Sequence, residues 1–448
     1  MKIGLLPLYI ELYDRLLPER IPATRAFVDT IAESLRQRGL EVVPAPVCRL
    51  HDEFASAISQ LESAGCEALA TLHLAYSPSL ESADLLAASP LPVVVIDTTP
   101  TYEFHAPDGI MLNHGIHGVQ DLCNLLLRHR KPFALACGHW QESDCLDTAV
   151  KMLKAAGMAW RMAHLRVGKV GGDFQGMGDF RYQPDSIGLT VVEWQDTGFV
   201  PAESDIAAEM ASDRAQFALA ENLSAESHRR TAIASLKLRE WVTRENLQAF
   251  TVAFPGITRQ EGWETVPFLE CSKAMARGIG YAGEGDTLTA ATTRCLLDAF
   301  PESSFMEMFC PDWKNNRIFT SHMGEINVAL CADKPLLNEK PYVFSETGNP
   351  LVATGCFRPG EAILTDLAPG PEGRFTLITA PVTWLPDDGP SRAFNAGWFR
   401  PAHGTIAEFL AEYSRHGGTH HLTTSYHGDL TVLREWARLM RWDYVELK

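Results

Sequence analysis

Short β-prone apolar runs alternate with amphipathic segments from Lys2 to about Arg166, and this alternation constrains the fold more than any other feature of the chain. A chain that switches repeatedly between strand and helix periods resolves into parallel strands joined by helices that lie on the sheet. Strands are expected at residues 2–6, 41–45, 67–73, 92–97, 132–137 and 159–166. Between them, Phe27, Ile31 and Leu35 keep a helical stripe ended by Gly39, and Phe54, Ile58 and Leu61 form another before Gly65. A third stripe, Leu146, Val150 and Leu153, is introduced by Ser143 as a cap and closed by Gly157. Residues 1–166 therefore read as an N-terminal α/β domain with a doubly wound parallel sheet, flavodoxin- or Rossmann-like.

At 448 residues the chain exceeds what one hydrophobic core supports, so further domains follow. Residues 167–299 read as a second α/β domain. It opens on VGKVGGDFQGMGDF, Val167 to Phe180, where five glycines in fourteen residues predict a loop whose backbone approaches something closely. Helical spacing then fills 203–247, and a strand lies within Leu247 to Phe254. Residues 300–448 read as a β-rich, barrel-like domain: from Pro335 to about Arg400, Gly and Pro punctuate β-prone runs such as FTLITAPVTWL. Amphipathic segments at 404–415 and 429–440 flank a short strand around His420 and His421. No strand leads through GxGxxG into a helix and no GxxxxGK[ST] occurs, so a phosphate cradle is not indicated.

A net charge of −17 argues against nucleic acid or an anionic membrane as partner, because either needs a basic face to release counterions. The first residues lack the architecture of a secretion signal, no apolar run reaches membrane-spanning length, and the ten cysteines show no CxxC spacing. The compartment expected is the cytoplasm.

The chemistry concentrates between Gly278 and Glu325, which places Glu284 in a glycine-rich turn, Glu307 in an apolar run and His322 fifteen residues further on. A carboxylate flanked by Phe305, Met306, Met308 and Phe309 is expensive to bury alone, so it asks to be paired, protonated or bound to a cation. The remote candidate partner is the doublet His420 and His421, which on a strand would point to opposite faces and leave one as a ligand, the other for substrate. Two glutamates and two histidines make an O/N donor set. Such a set suits Mn2+, with Mg2+, Co2+ or Fe2+ as alternatives, and without cysteine it is unlike a structural zinc site. Taken singly, Glu284 reads as a solvated turn residue and His322 as a packed core histidine.

These residues together resemble the arabinose and fucose isomerase family, closer to arabinose isomerase. The resemblance rests on GYAGEGD (Gly280 to Asp286), SSFMEMF (Ser303 to Phe309), SHMGE (Ser321 to Glu325) and THH (Thr419 to His421), in the family's order with comparable gaps. NHGIHG (Asn113 to Gly118) and GHW (Gly138 to Trp140) are weaker matches. The resemblance implies Glu284, Glu307, His322 and His421 as metal ligands, with Glu284 and Glu307 also the acid and base of an aldose–ketose isomerisation through a cis-enediol. It implies a sugar substrate, with His114, His117, Met177, His420 and Tyr9 on the substrate side. NHGIHG resembles a segment that completes a neighbour's site, so a homo-oligomer, trimer or hexamer, with the site at a subunit interface is expected. The opening LPLYIELYD lacks the glutamine motif of arabinose isomerases, and His114 stands where they have glutamine, so another pentose, a hexose or a modified sugar suits the chain as well as L-arabinose. A sugar-binding or regulatory protein of this fold, and an Mn-dependent epimerase or lyase, are the alternative readings.

Overall fold

The computed structural model describes residues 1–104, 110, 113–221, 223–387 and 395–448. The chain gathers into two compact units, residues 1–161 with 430–441, and residues 162–429 with 442–448.

The first unit carries β1 (Lys2–Leu8), β2 (Glu41–Pro44), β3 (Ala68–His73), β4 (Val93–Asp97) and β5 (Phe133–Cys137), all parallel, in the order β2-β1-β3-β4-β5. This is the flavodoxin-like doubly wound order, with its reversal between β1 and β3. Ile3, Leu5 and Leu6 and all of Val93 to Ile96 are buried, the near-continuous apolar strand expected of a parallel sheet covered on both faces. The helices Ile21–Arg36 and His51–Ser63 bury the stripes read from the sequence, Phe27, Ile31 and Leu35 on one, Phe54, Ile58 and Leu61 on the other.

The strand expected at 159–166 is a correction. The helix Cys145–Met162 runs through the first half of it, and the next strand starts only at Arg166. Gly157 does not close that helix. A Cβ there would come within 2.9 Å of the Met1 side chain, so the glycine permits close packing inside the helix while Met158 and Met162 prolong the buried stripe.

In the second unit β6 (Arg166–Val170), β7 (Thr190–Glu193), β9 (Ala249–Val252) and β10 (Gly280–Gly283) form a parallel sheet in the order β10-β9-β6-β7, and β8 (Ala218–Leu219) is a two-residue strand elsewhere. The glycine-rich stretch thus enters as a strand, because VGKV pairs with both β7 and β9, and loops only after Val170. The later strands are β11 (Ser303–Asp312), β12 (Arg317–Thr320), β13 (Leu336–Glu339), β14 (Leu351–Cys356), β15 (Gly360–Pro369), β16 (Phe375–Trp384), β17 (Asn395–Pro401), β18 (His421–Tyr426) and β19 (Asp443–Glu446). Six of these close an antiparallel barrel: β16-β15-β18-β11-β12-β17, with β17 returning to β16. β19 adds outside, parallel to β16. Closure removes the unpaired edges that an open sheet would expose, and Leu364, Ile378, Trp384, Phe399, Phe409 and Leu422 pack in the barrel's apolar cluster.

One helix ties the sheet to the barrel. Thr287–Ala299 is buried almost all round, and packs against β9 and β10 of the sheet and β11, β15 and β18 of the barrel. Asp286 caps it by accepting the Thr289 N–H at 2.8 Å. The turn before this helix therefore sits where the carboxyl edge of a parallel sheet meets the barrel, the edge where open α/β sheets place ligands. Among the described residues no helix is long and apolar enough to cross a membrane.

Candidate metal centre

Glu284 occupies that turn at φ +65°, a left-handed conformation uncommon outside glycine. Thr251 on β9 holds it there: its hydroxyl donates to the Gly283 carbonyl and accepts from the Gly285 N–H, both at 3.0 Å. The Glu284 N–H donates to the Val252 carbonyl (2.8 Å), while its carbonyl accepts from the Phe174 N–H (3.2 Å). Gly283 has to be glycine, since a Cβ there would lie 2.4 Å from the His322 ring. His322 enters from the turn after β12, and His421 opens β18, whose antiparallel register sets it opposite Glu307 on β11. Directly opposed residues share a face of the sheet, so Glu307 and His421 point the same way.

Glu284, His322 and His421 are buried, and each offers one ligand atom within 4.8 Å of the others. That spread is about what one ion spans when its bonds to N and O run about 2.0–2.2 Å. Each imidazole has its Nδ1 committed. His322 Nδ1–H donates to Glu325 Oε2 at 2.8 Å and His421 Nδ1–H to Asp286 Oδ2 at 3.1 Å. The Nε2 atoms of both histidines are buried and have no hydrogen-bond partner among the described residues. Two lone pairs held free and converging on a carboxylate are the arrangement a cation needs, with outer carboxylates fixing tautomer and ring orientation. The donor set fits a divalent ion of hard or borderline character.

The two glutamates sit in different surroundings. Burial would raise the Glu284 carboxyl, but a hydrogen bond from His420 and the charges of His322, His421 and His420 hold it below its ordinary value. Burial raises Glu307, and the opposing pull of His322 and His420 does not cancel it. For His322, burial acts downward but the charge and hydrogen bond of Glu325 win, so the ring is held up. His421 stays low because burial dominates over Asp286.

His420 departs from the expected geometry. It precedes β18, so strand alternation does not govern it, and it faces the same centre as His421: the two rings are 4.1 Å apart and both approach Glu284 Oε2, at 3.4 Å and 3.6 Å. Asp179, in the loop after Val170, accepts from the His420 N–H (3.0 Å) and from Nδ1 (2.6 Å). Against the effect of burial, Asp179 and Glu284 push His420 up to about 10, while His420 draws Asp179 down to about 2. The same loop stacks Phe180 on His421 at 5.4 Å, and Phe305 stands edge-on to His322 and His421 at 5.0 and 5.1 Å. Met177 is half-buried in this loop.

Tyr9, His114 and His117 belong to the first unit. There His114 Nε2 meets His117 Nδ1 at 2.8 Å, Tyr13 Oη lies 3.4 Å from His114 Nδ1, and Tyr76 packs against both rings. Tyr9 is buried edge-on to Tyr13. The sequence alone does not mark Glu325, Asp286 and Asp179 as orienting residues. The first two lie inside quoted motifs, where an acid three residues after His322 or two after Glu284 was the signal available.

The family model described as the L-arabinose isomerase central domain matches residues 191–299, and that described as its C-terminal domain matches 302–443. Together they span more than half of the chain. Among curated relatives, an L-arabinose isomerase of Herpetosiphon aurantiacus is 26% identical over 466 residues, 96% of this chain and 91% of that protein. Those of Actinobacillus succinogenes (25% over 375 residues; 76% and 72%) and Aeromonas hydrophila (27% over 373 residues; 75% and 71%) are also similar.

Proposed function

Since the chain belongs to the L-arabinose isomerase family and is an aldose–ketose isomerase, an intramolecular oxidoreductase, we propose that Glu284, Glu307, His322 and His421 hold a divalent cation, Mn2+ first, and that Glu284 and Glu307 move protons through a cis-enediol. The observation that carries this is the pair of buried, unpartnered Nε2 atoms of His322 and His421 beside the Glu284 carboxylate. When bound, the cation supplies Lewis-acid polarisation of adjacent sugar oxygens.

The chain's own groups do the rest. Moving a carbonyl between C1 and C2 requires a proton taken from one carbon and delivered to the other, with oxygen protons exchanged as the bonds change. Glu284 in its turn and Glu307 on β11 supply two carboxylates for those transfers, and a hydride shift would need neither. Glu325 and Asp286 retain the Nδ1 protons and so keep Nε2 free. His420, anchored by Asp179, presents Nε2–H toward Glu284 and the substrate. Phe180 and Phe305 exclude water beside the histidines.

We extend the proposal to a homo-oligomer, a trimer or hexamer, in which His114 and His117 serve a neighbouring subunit's substrate and Tyr9 lies on the substrate side, and to the cytoplasm, where ten free thiols suit a reducing milieu. Metal analysis with an aldose panel tests the core of it: EDTA-treated protein should be inactive and Mn2+ should restore it, with deuterium from D2O entering the product carbon. Full activity in metal-free protein would refute the metal role, and an active monomer in light scattering would refute the trans role of His114.

A further inference from the structure

Tyr342 follows β13 in a loop of the second unit, and its hydroxyl has no hydrogen-bond partner among the described residues. The residue is 5% exposed, its ring lies 5.9 Å from that of Phe254, 5.4 Å from Phe268 and 5.5 Å from Phe344, and its Oη is buried. A phenylalanine would fill the same aromatic pocket without the cost of desolvating a hydroxyl and leaving it unsatisfied.

The neighbours place that ring. Lys340, two residues earlier, donates from Nζ to the Met323 carbonyl at 2.5 Å, next to His322, and the Tyr342 N–H is fixed on Asn349 Oδ1 at 3.0 Å. On the other side Phe254 packs against Phe174 at 5.5 Å, whose N–H holds the Glu284 carbonyl. The ring is thus bracketed between the turn that carries Glu284 and the turn that carries His322. After burial itself, the charges that press on the phenol are those of Glu325 and Glu284, and all three act to keep it protonated. Oη–H is therefore a buried donor without an acceptor among the described residues, in the field of Glu325 and Glu284.

We propose that Tyr342 is a substrate-contacting residue: when a sugar is seated at the Glu284, His322 and His421 centre, Oη–H donates to one of its oxygens. This rests on the isomerase reading above. A buried donor built to meet an oxygen discriminates strongly against an analogue lacking it, since the donor is then left unpaired, so Tyr342 selects among sugars by whether an oxygen stands at its position.

The test is Tyr342→Phe in the full-length protein. With no sugar present, the thermal midpoint of the variant should equal or exceed that of the parent, and Mn2+ affinity should be unchanged. With the metal loaded, kcat/KM for the aldose the parent prefers should fall 10- to 100-fold, and the rise in midpoint produced by L-arabitol should shrink. A set of deoxypentoses locates the contact: one of them should lose on the parent what the intact sugar loses on the variant, and lose nothing further on the variant. Unchanged kinetics and an unchanged L-arabitol shift overturn the role of Tyr342 alone, as does a lower midpoint without sugar, which would mean the hydroxyl has a structural partner. A parent protein that binds Mn2+ but isomerises no aldose overturns the isomerase reading, and this role falls with it.

Discussion

Replacing Glu325 by glutamine tests the claim that the outer carboxylates prepare the histidines for a cation. Glu325 is fully enclosed: its Oε2 accepts from His322 Nδ1 at 2.8 Å and its Oε1 from the Tyr281 hydroxyl at 2.5 Å. Glutamine has the same shape, and its amide oxygen still accepts from Nδ1, so the fold should survive. The negative charge is lost, and so is part of the basicity it lends to Nε2. Hydrogen bonds to charged groups contribute about 1.5–3 kcal/mol, and removing an outer partner of a metal-bound histidine typically weakens metal binding by about 10- to 100-fold. At about 1.4 kcal/mol per factor of ten, the two figures agree, and Glu325→Gln should raise the Mn2+ dissociation constant by 10- to 100-fold. Calorimetric titration of metal-stripped protein measures it directly, and high Mn2+ should restore most of the turnover. Affinity within twofold of the parent would refute the reasoning, because His322 would then not need its carboxylate to serve as a ligand.

Glu284→Gln and Glu307→Gln should each lower turnover by about 10² to 10⁴, the usual contribution of a general acid or base, and near-native rates without solvent deuterium in the product would rule out both as proton carriers. Asp179→Asn removes the charge that anchors His420 but touches no ligand, so kcat should fall about tenfold with metal content unchanged; a loss of metal instead would place Asp179 among the outer supports of the ion. His73 is buried with Nδ1 on Ser77 Oγ at 2.8 Å, and burial pulls its pKa down to about 3. Between that value and the ordinary 6.5 the unfolded chain binds the extra proton, so stability is lost as pH falls through this window, with a slope approaching about 1.4 kcal/mol per pH unit. His73→Gln should flatten urea midpoints across pH 4–6 relative to the parent, and an identical slope in both proteins would refute the assignment.

What the sequence disclosed followed the range of the interactions involved. The strands β1 to β5 rest on local periodicity, and Phe27, Ile31 and Leu35 could be placed on one face before any fold was known. Gly157 misled because a glycine that ends a helix and one that lets Met1 pack against it are the same letter, and only the position of a residue 156 places away distinguishes them. The candidate ligands were legible because each sits in a short stretch whose chemistry is odd for its surroundings, such as Glu307 between Met306 and Met308. Their convergence is another matter. It depends on β11 pairing with β18 in the register that opposes Glu307 to His421, across more than a hundred residues. The orienting acids were illegible for a related reason: Asp286 reads as a helix cap, which it is, and its second oxygen finds His421 only after the barrel has closed. His420 marks the limit of the period-two rule. That rule holds where both neighbours are in the ladder, and β18 begins one residue later, which frees His420 to turn toward Glu284 and gives the centre a third imidazole where alternation allowed two.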